Sequence, residues 1–278
     1  MCLKIHKQII YNLENEMNTN IKIIFVDIDW TILSHKDGRY FDMESIEALK
    51  KCQSQGIKVF LCTSRPYHTV KQLGLFDLFT PDGMIVCNGG LIIYDNKIIH
   101  EKVMDSSTFE KLCEVVIKHN LNIEAVEPYH RFLLTKNDED VGKVLSTYPE
   151  LVPEVEDYHN RHIISVLLFA SEEYDEILKK EIPQNLYYFR FHPYGVDVLD
   201  VPHEKGDGVK IVLDYLNIKK EDSLAFGDDI ADISMFENVG ISVALANGRQ
   251  EAKEKATFVS DEVWNSGVKK ALKKLDVI

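Results

Sequence analysis

The chain has 278 residues, 45% of them hydrophobic, enough for one large domain or two modest ones around a substantial core. Asp and Glu number 45 against 32 Lys and Arg, a net charge of -13, and no dense basic stretch interrupts that balance. This argues against a nucleic-acid or anionic-membrane partner, and any anionic ligand must be held locally.

Residues 1–20 are mixed and polar, without the apolar core of a secretory signal, and read as an N-terminal extension of unassigned role, with Met17 a candidate start of the folded part. A strand is predicted over Ile21 to Val26, followed directly by Asp27-Ile28-Asp29-Trp30-Thr31. Alternation along a strand directs Asp27 and Asp29 to one face and Ile28 inward. Two carboxylates so close repel when both are ionised, so the pair predicts a cation, a proton on one acid, or both. In so acidic a chain an Asp-x-Asp also arises by chance. Next come a helix over Met43 to Gln55 closed by Gly56, a strand over Ile57 to Cys62, and a helix after Pro66. Between the last two, Thr63-Ser64-Arg65 offers hydroxyls and backbone N–H groups that could hold a phosphate or simply cap the helix.

After a strand at Met84 to Val86 and the turn Asn88-Gly89-Gly90, the pattern changes to paired short strands, Leu91 to Tyr94 and Lys97 to Ile99, around Asp95-Asn96. A second module is expected from there. Ser107-x-x-Glu110 reads as a capping box opening a helix to about His119. Strands near Ile123, Phe132 to Leu134, Ile163 to Phe169, Tyr187 to Phe191 and Val196 to Leu199 follow, with helices near Asp138 to Leu145 and Ser171 to Lys180. Tyr129-His130-Arg131 reads as a polar turn, with recognition of a leaving group as its alternative, and His192, Tyr194 and Asp197, near the second hinge, read as packing residues, with contact to substrate as their alternative.

Strand and helix alternate again from about Pro202: helix Gly208 to Leu216, strand Ser223 to Phe226, helix Ile230 to Glu237, strand Ile241 to Ala244, and helices Arg249 to Ala256 and Gly267 to Leu275. Lys205-Gly206-Asp207-Gly208 reads as a Gly-rich turn before the first of these helices. Gly227-Asp228-Asp229-Ile230-Ala231-Asp232 follows an apolar strand and supplies acids for a hard-cation site with Asp27, or simply acids suited to a helix N-terminus. The fold class is therefore α/β, a Rossmann-like parallel-sheet core with an inserted α+β cap. The expected boundaries are 21–87 with 192–278 for the core and 88–191 for the cap. The five cysteines, Cys2, Cys52, Cys62, Cys87 and Cys113, form no C-x-x-C pair and read as buried thiols of a cytoplasmic protein.

Four such groups at strand-to-helix turns of one alternating sheet lie where α/β folds bind ligands. Carboxylates, a cation, a hydroxyl and a lysine suit phosphoryl transfer. From about Ile21 onward the sequence resembles the haloacid dehalogenase-like hydrolases, in particular Cof-type phosphatases with a large α/β cap. The first motif matches Asp27-Ile28-Asp29-Trp30-Thr31, the second Thr63, the third Lys205-Gly206 and the fourth Gly227 to Asp232. Asn88-Gly89-Gly90, Ala244 to Gly248 and Asp261 to Val268 add to the likeness.

The resemblance implies that Asp27 is a nucleophile, that Asp29 is general acid and base, and that Thr63 and Lys205 neutralise phosphoryl oxygens. It implies Mg²⁺ on Asp27, the backbone carbonyl of Asp29, Asp228 and Asp232, and substrate contacts by Thr31, Ser64, Arg65, Asn88, Gly89 and Asn247. Trp30 stands where the family has Gly and Ala231 where it has Asn, which shifts phosphate contacts toward Asn247 and Arg65. The expected activity is hydrolysis of small phosphorylated metabolites by a monomer or weak homodimer. A phosphomutase, or a phospholigand-binding protein without turnover, is the alternative.

Overall fold

The computed structural model describes residues 20–135, 139–145, 152–159, 161–200 and 204–278. The N-terminal extension and Met17 therefore lie outside the described residues, apart from Asn20. In chain order the elements are β1 (Ile23–Val26), β2 (Leu33–Ser34), β3 (Tyr40–Phe41), α1 (Met43–Ser54), β4 (Lys58–Cys62), α2 (Tyr67–Gln72), α3 (Leu75–Leu78) and β5 (Gly83–Val86). They continue with β6 (Leu91–Tyr94), β7 (Lys97–Glu101), α4 (Ser106–Lys118), β8 (Asn122–Val126), β9 (Arg131–Leu133), α5 (Glu139–Leu145), β10 (Ser165–Phe169) and α6 (Asp175–Glu181). The last are β11 (Leu186–His192), β12 (Gly195–Asp200), α7 (Lys205–Leu216), β13 (Ser223–Gly227), α8 (Ile233–Phe236), β14 (Ile241–Leu245), α9 (Gln250–Lys255), β15 (Phe258–Ser260) and α10 (Gly267–Lys274).

The chain divides into two compact units, Met1–Phe60 with Leu213–Ile278, and Leu61–Val212, the division falling within β4 and α7. In the first unit the strands run in the order β15-β14-β13-β1, with β4 next to β1. The pairs β1 with β13, β13 with β14 and β14 with β15 are all parallel. Every residue of β1, β13 and β14 is buried, the continuous apolar pattern of strands covered on both faces. α1 turns Ile46, Leu49 and Cys52 inward, is capped by Asp42, and stops before Gly56, whose φ of 88° ends the helix.

In the second unit β5 pairs antiparallel with β6 and β6 with β7, the turn between them placing Asp95 and Asn96 at φ of 50° and 57°. The hairpin thus continues the strand order β4-β5-β6-β7. A separate antiparallel sheet has the order β11-β12-β10-β8-β9. One face of it, with Ile123, Ala125, Val166, Leu168, Val196 and Val198, packs on Phe109, Leu112 and Val116 of α4 and Leu178 of α6. The α/β fold class with an added α+β cap holds.

Several local expectations need correction. The N-cap of α4 is Asp105, which accepts from Thr108 N–H at 3.1 Å, while the Ser107 hydroxyl donates to Asp105. Tyr129-His130-Arg131 is not simply a polar turn, because Arg131 opens β9 and is buried. The helix expected from Gly208 begins at Lys205. β2, β3 and β15 have no counterpart in the sequence reading, being too short for their period to register.

Candidate active site

Of the twelve residues assigned to the site from the sequence, six fall in each unit. In the first unit β1 ends at Val26, and Asp27 N–H still donates to the Phe226 carbonyl at 3.0 Å, so the carboxyl end of β1 lies beside that of β13. The chain then turns tightly. The Ile28 carbonyl accepts from Thr31, Ile32 and Leu33 at 3.3, 3.0 and 2.8 Å, and Trp30 N–H donates to the Leu33 carbonyl at 2.7 Å. This turn sets Trp30 at φ 57°, a left-handed conformation that suits glycine and is rare for a bulky residue. Asn247 braces it, donating from Nδ2 to the Trp30 carbonyl at 2.8 Å and accepting at Oδ1 from Val263 N–H at 2.8 Å.

Asp228 follows β13, and Asp232 comes round a short 3₁₀ turn to meet it. Asp232 Oδ2 accepts from the N–H groups of Asp228 and Asp229 at 2.8 and 3.0 Å, pinning the loop. Gly227 is required here, since a Cβ on it would lie 2.5 Å from Asp232 Cγ. The result is a buried group, Asp27, Asp228 and Asp232, with carboxylate oxygens all within 4.8 Å of one another. The Thr31 hydroxyl donates to Asp228 Oδ1 at 3.3 Å. Three buried carboxylates in that space repel unless a cation joins them, and an all-oxygen donor set is compatible with a hard divalent ion. The carboxylate of Asp29 is not in the group. It is partly exposed and lies 2.7 Å from His35 Nε2. His35 escaped the sequence reading, and only its place just after the first motif could have signalled it. Ala231 is exposed in the 3₁₀ turn, and Arg249 Nε lies 3.0 Å from Asp229 Oδ1.

In the second unit Thr63 is buried after β4, its hydroxyl accepting from Arg65 N–H at 3.1 Å, while Ser64 is exposed. The Thr63 and Arg65 carbonyls accept from Asn88 and Cys87 N–H at 3.2 and 3.0 Å, stitching the two loops together. Cys87, Asn88 and Gly89 hold φ of 50°, 54° and 97° in succession. Only glycine fits at 89, because a Cβ would lie 2.8 Å from the Glu204 carbonyl oxygen. That contact sets the Asn88-Gly89 loop against the start of α7, whose first residue is the buried Lys205. A buried ammonium needs anionic or carbonyl company.

A family model described as haloacid dehalogenase-like hydrolase matches residues 24–272. The chain belongs to the haloacid dehalogenase-like hydrolases. Bacillus subtilis YkrA, which carries a phosphatase name, is 29% identical over 269 residues, covering 92% of this chain and 98% of YkrA. The structure of BT1666 from Bacteroides thetaiotaomicron, described among phosphatases of this superfamily, superposes with a TM-score of 0.82 at 27% identity, covering 95% of this chain and 98% of BT1666. BT4131, described as a subclass IIB sugar phosphatase, gives 0.77 at 25% identity over 92% of this chain and all of its own. This haloacid dehalogenase-like hydrolase is an enzyme, and its buried aspartates form a group compatible with a divalent cation. Among the described residues no helix is long and apolar enough to cross a membrane.

Proposed function

We propose that this hydrolase is a Mg²⁺-dependent, Cof-type phosphatase of small phosphorylated metabolites such as sugar phosphates or phosphorylated cofactors. The observation that carries the reading is the buried Asp27, Asp228, Asp232 group at the paired ends of β1 and β13 in a member of this family. Asp27, Asp228 and Asp232, with the Asp29 carbonyl, would hold the cation. When bound, it supplies positive charge to the phosphoryl group and offsets the repulsion among the carboxylates.

In the proposed reaction Asp27 attacks phosphorus, the phosphorus–oxygen bond to the alcohol breaks, and Asp29 gives its proton to the leaving oxygen. Water then attacks the aspartyl phosphate while Asp29 takes its proton, releasing inorganic phosphate and restoring Asp27. His35, against Asp29, holds that carboxyl in place. Thr63 and Lys205 are assigned to the phosphoryl oxygens. Thr31, Ser64, Arg65, Asn88 and Gly89 are assigned substrate contacts, direct or through the loops that carry them. Asn247 is assigned a bracing role, since both ends of its amide engage backbone groups.

Phosphate release from a panel of sugar phosphates, phosphorylated cofactors and an aryl phosphate, with Mg²⁺ and with chelator, tests the reading. Release is expected only with metal. Asp27→Asn should remove turnover while leaving the circular dichroism spectrum and melting curve near wild type; a D27N protein with full activity would sink the mechanism.

A further inference from the structure

Trp30 is joined directly to Asp29 and stands where the family has Gly, yet no step of the proposed reaction uses its side chain. Its φ of 57° is one that glycine adopts without strain. The turn around it is made by the Ile28 and Leu33 carbonyls and the Asn247 amide, all bonded to backbone groups and none in need of an indole. The side chain is not core packing either. Trp30 is 38% exposed, its ring contact among the described residues is with His35, centroids 5.3 Å apart and planes inclined at 50°, and its Nε1–H has no hydrogen-bond partner among the same residues. Strained residues persist where function over-determines them, and here the strain holds a flat apolar surface out next to the acid of the first motif.

The groups around the indole say which part of a ligand it meets. His35 Nε2 lies 2.7 Å from Asp29 Oδ1, so indole, imidazole and carboxyl form a connected row in the first unit. In the proposed reaction Asp29 protonates the leaving oxygen, and a surface beside Asp29 is therefore on the side of the leaving alcohol. Flat faces of this kind take flat rings in offset or edge-to-face contact. A polyol would instead need donors and acceptors here. The polar side chains next to Trp30 are already engaged: Asn247 bonds the Trp30 carbonyl and the Val263 N–H, and Asp29 and His35 bond each other. Hydroxyls placed against them would lose water without regaining its hydrogen bonds.

We propose that Trp30 is a specificity-determining residue whose indole, with His35 beside it, is the platform on which a flat aromatic or heteroaromatic ring of the leaving alcohol stacks. The preferred substrates are then phosphoesters of ring-bearing alcohols, such as phosphorylated heteroaromatic cofactors, over sugar phosphates. The proposal rests on the phosphatase reading and on Asp29 as its acid, and the measurements are chosen so that the two fail separately.

Phosphate release with Mg²⁺ is compared for benzyl phosphate and cyclohexylmethyl phosphate, which carry similar alkoxide leaving groups of similar size and differ in the flatness of the ring. Trp30→Gly removes the platform and relieves the backbone, so its melting curve should not fall below that of the wild type. It is expected to raise KM for the benzyl ester by at least about fivefold and that for the cyclohexylmethyl ester by less than about twofold. Trp30→Phe, which keeps a ring, should restore most of the preference. A purely structural role in the turn would instead lower kcat for both esters together. Binding is read without turnover in D27N/W264F, where Trp30 is the remaining tryptophan of the two in the chain. Its emission should be quenched saturably by 4-nitrobenzyl phosphate, and only in proportion to concentration by 4-nitrobenzyl alcohol. Saturable quenching without turnover of either ester by the wild type would count against the phosphatase reading and leave the platform standing. A KM change shared by both esters in W30G, or quenching that does not saturate, overturns the platform.

Discussion

Trp30 holds a backbone conformation that costs an L-residue roughly 1–2 kcal/mol, and the local turn that sets it is braced by a side chain from far along the chain. Asn247 ties the Trp30 carbonyl to the Val263 N–H, so the turn that presents Asp29 depends on the loop after β14. Asn247→Ala is expected to lower stability by about 1–2 kcal/mol in urea denaturation and to reduce kcat by loosening the turn. An unchanged urea midpoint would mean that the turn is held by its own Ile28 hydrogen bonds. Ala231 leaves no comparable trace, since its side chain is exposed and the pinning of that loop falls to Asp232. The glycine-to-tryptophan departure was plain in the sequence. Its accommodation was not, because an amide at position 247 signals nothing local about position 30.

At the scale of elements, helix starts were the least legible feature. Ser107 and Glu110 have capping-box spacing, yet Asp105 two residues earlier takes the cap, and adjacent candidates of similar propensity cannot be ranked without the incoming chain direction. Asp105→Ala should cost about 1 kcal/mol in a thermal melt, and Ser107→Ala less than half of that. α7 begins at Lys205 and runs through Gly206 and Gly208, residues that read as a turn because glycine disfavours helix. Packing overrides that preference: a Cβ at 208 would lie 2.5 Å from Ile85 Cγ2, so only glycine allows the close approach.

For the molecule as a whole, pH should act through the antiparallel sheet of the second unit. Asp197 of β12 and Glu124 of β8 both face Leu167 across β10 and lie on the same side of the sheet. Burial, with the charge of Glu124 added, pushes the Asp197 carboxyl up to about 7. The native state therefore holds a proton that the unfolded chain has lost above about pH 4. The contribution of this group to stability is greatest below that pH and declines as pH rises to about 7. Asp197→Asn removes the decline, so the variant should gain on wild type across that window, by on the order of 1 kcal/mol at pH 8 given the partial exposure of the carboxyl. Chemical denaturation at pH 4.5 and at pH 8 checks it; a difference between the two proteins that does not change with pH would refute the assignment.

Apolar runs closed by acids, hydroxyls and a lysine determined the α/β class and marked the strand-to-helix turns as the place of the site, because alternation and turn chemistry are local and written in order along the chain. Only the tertiary structure decided which carboxylates share a space. Parallel pairing of β1 with β13 brings Asp228 and Asp232 to Asp27, while Asp29, two residues from Asp27, goes to His35. It likewise decided that Arg131 of an apparent polar turn is buried and ion-paired with Glu124, since burial is a property of what packs around a residue and not of its neighbours in sequence.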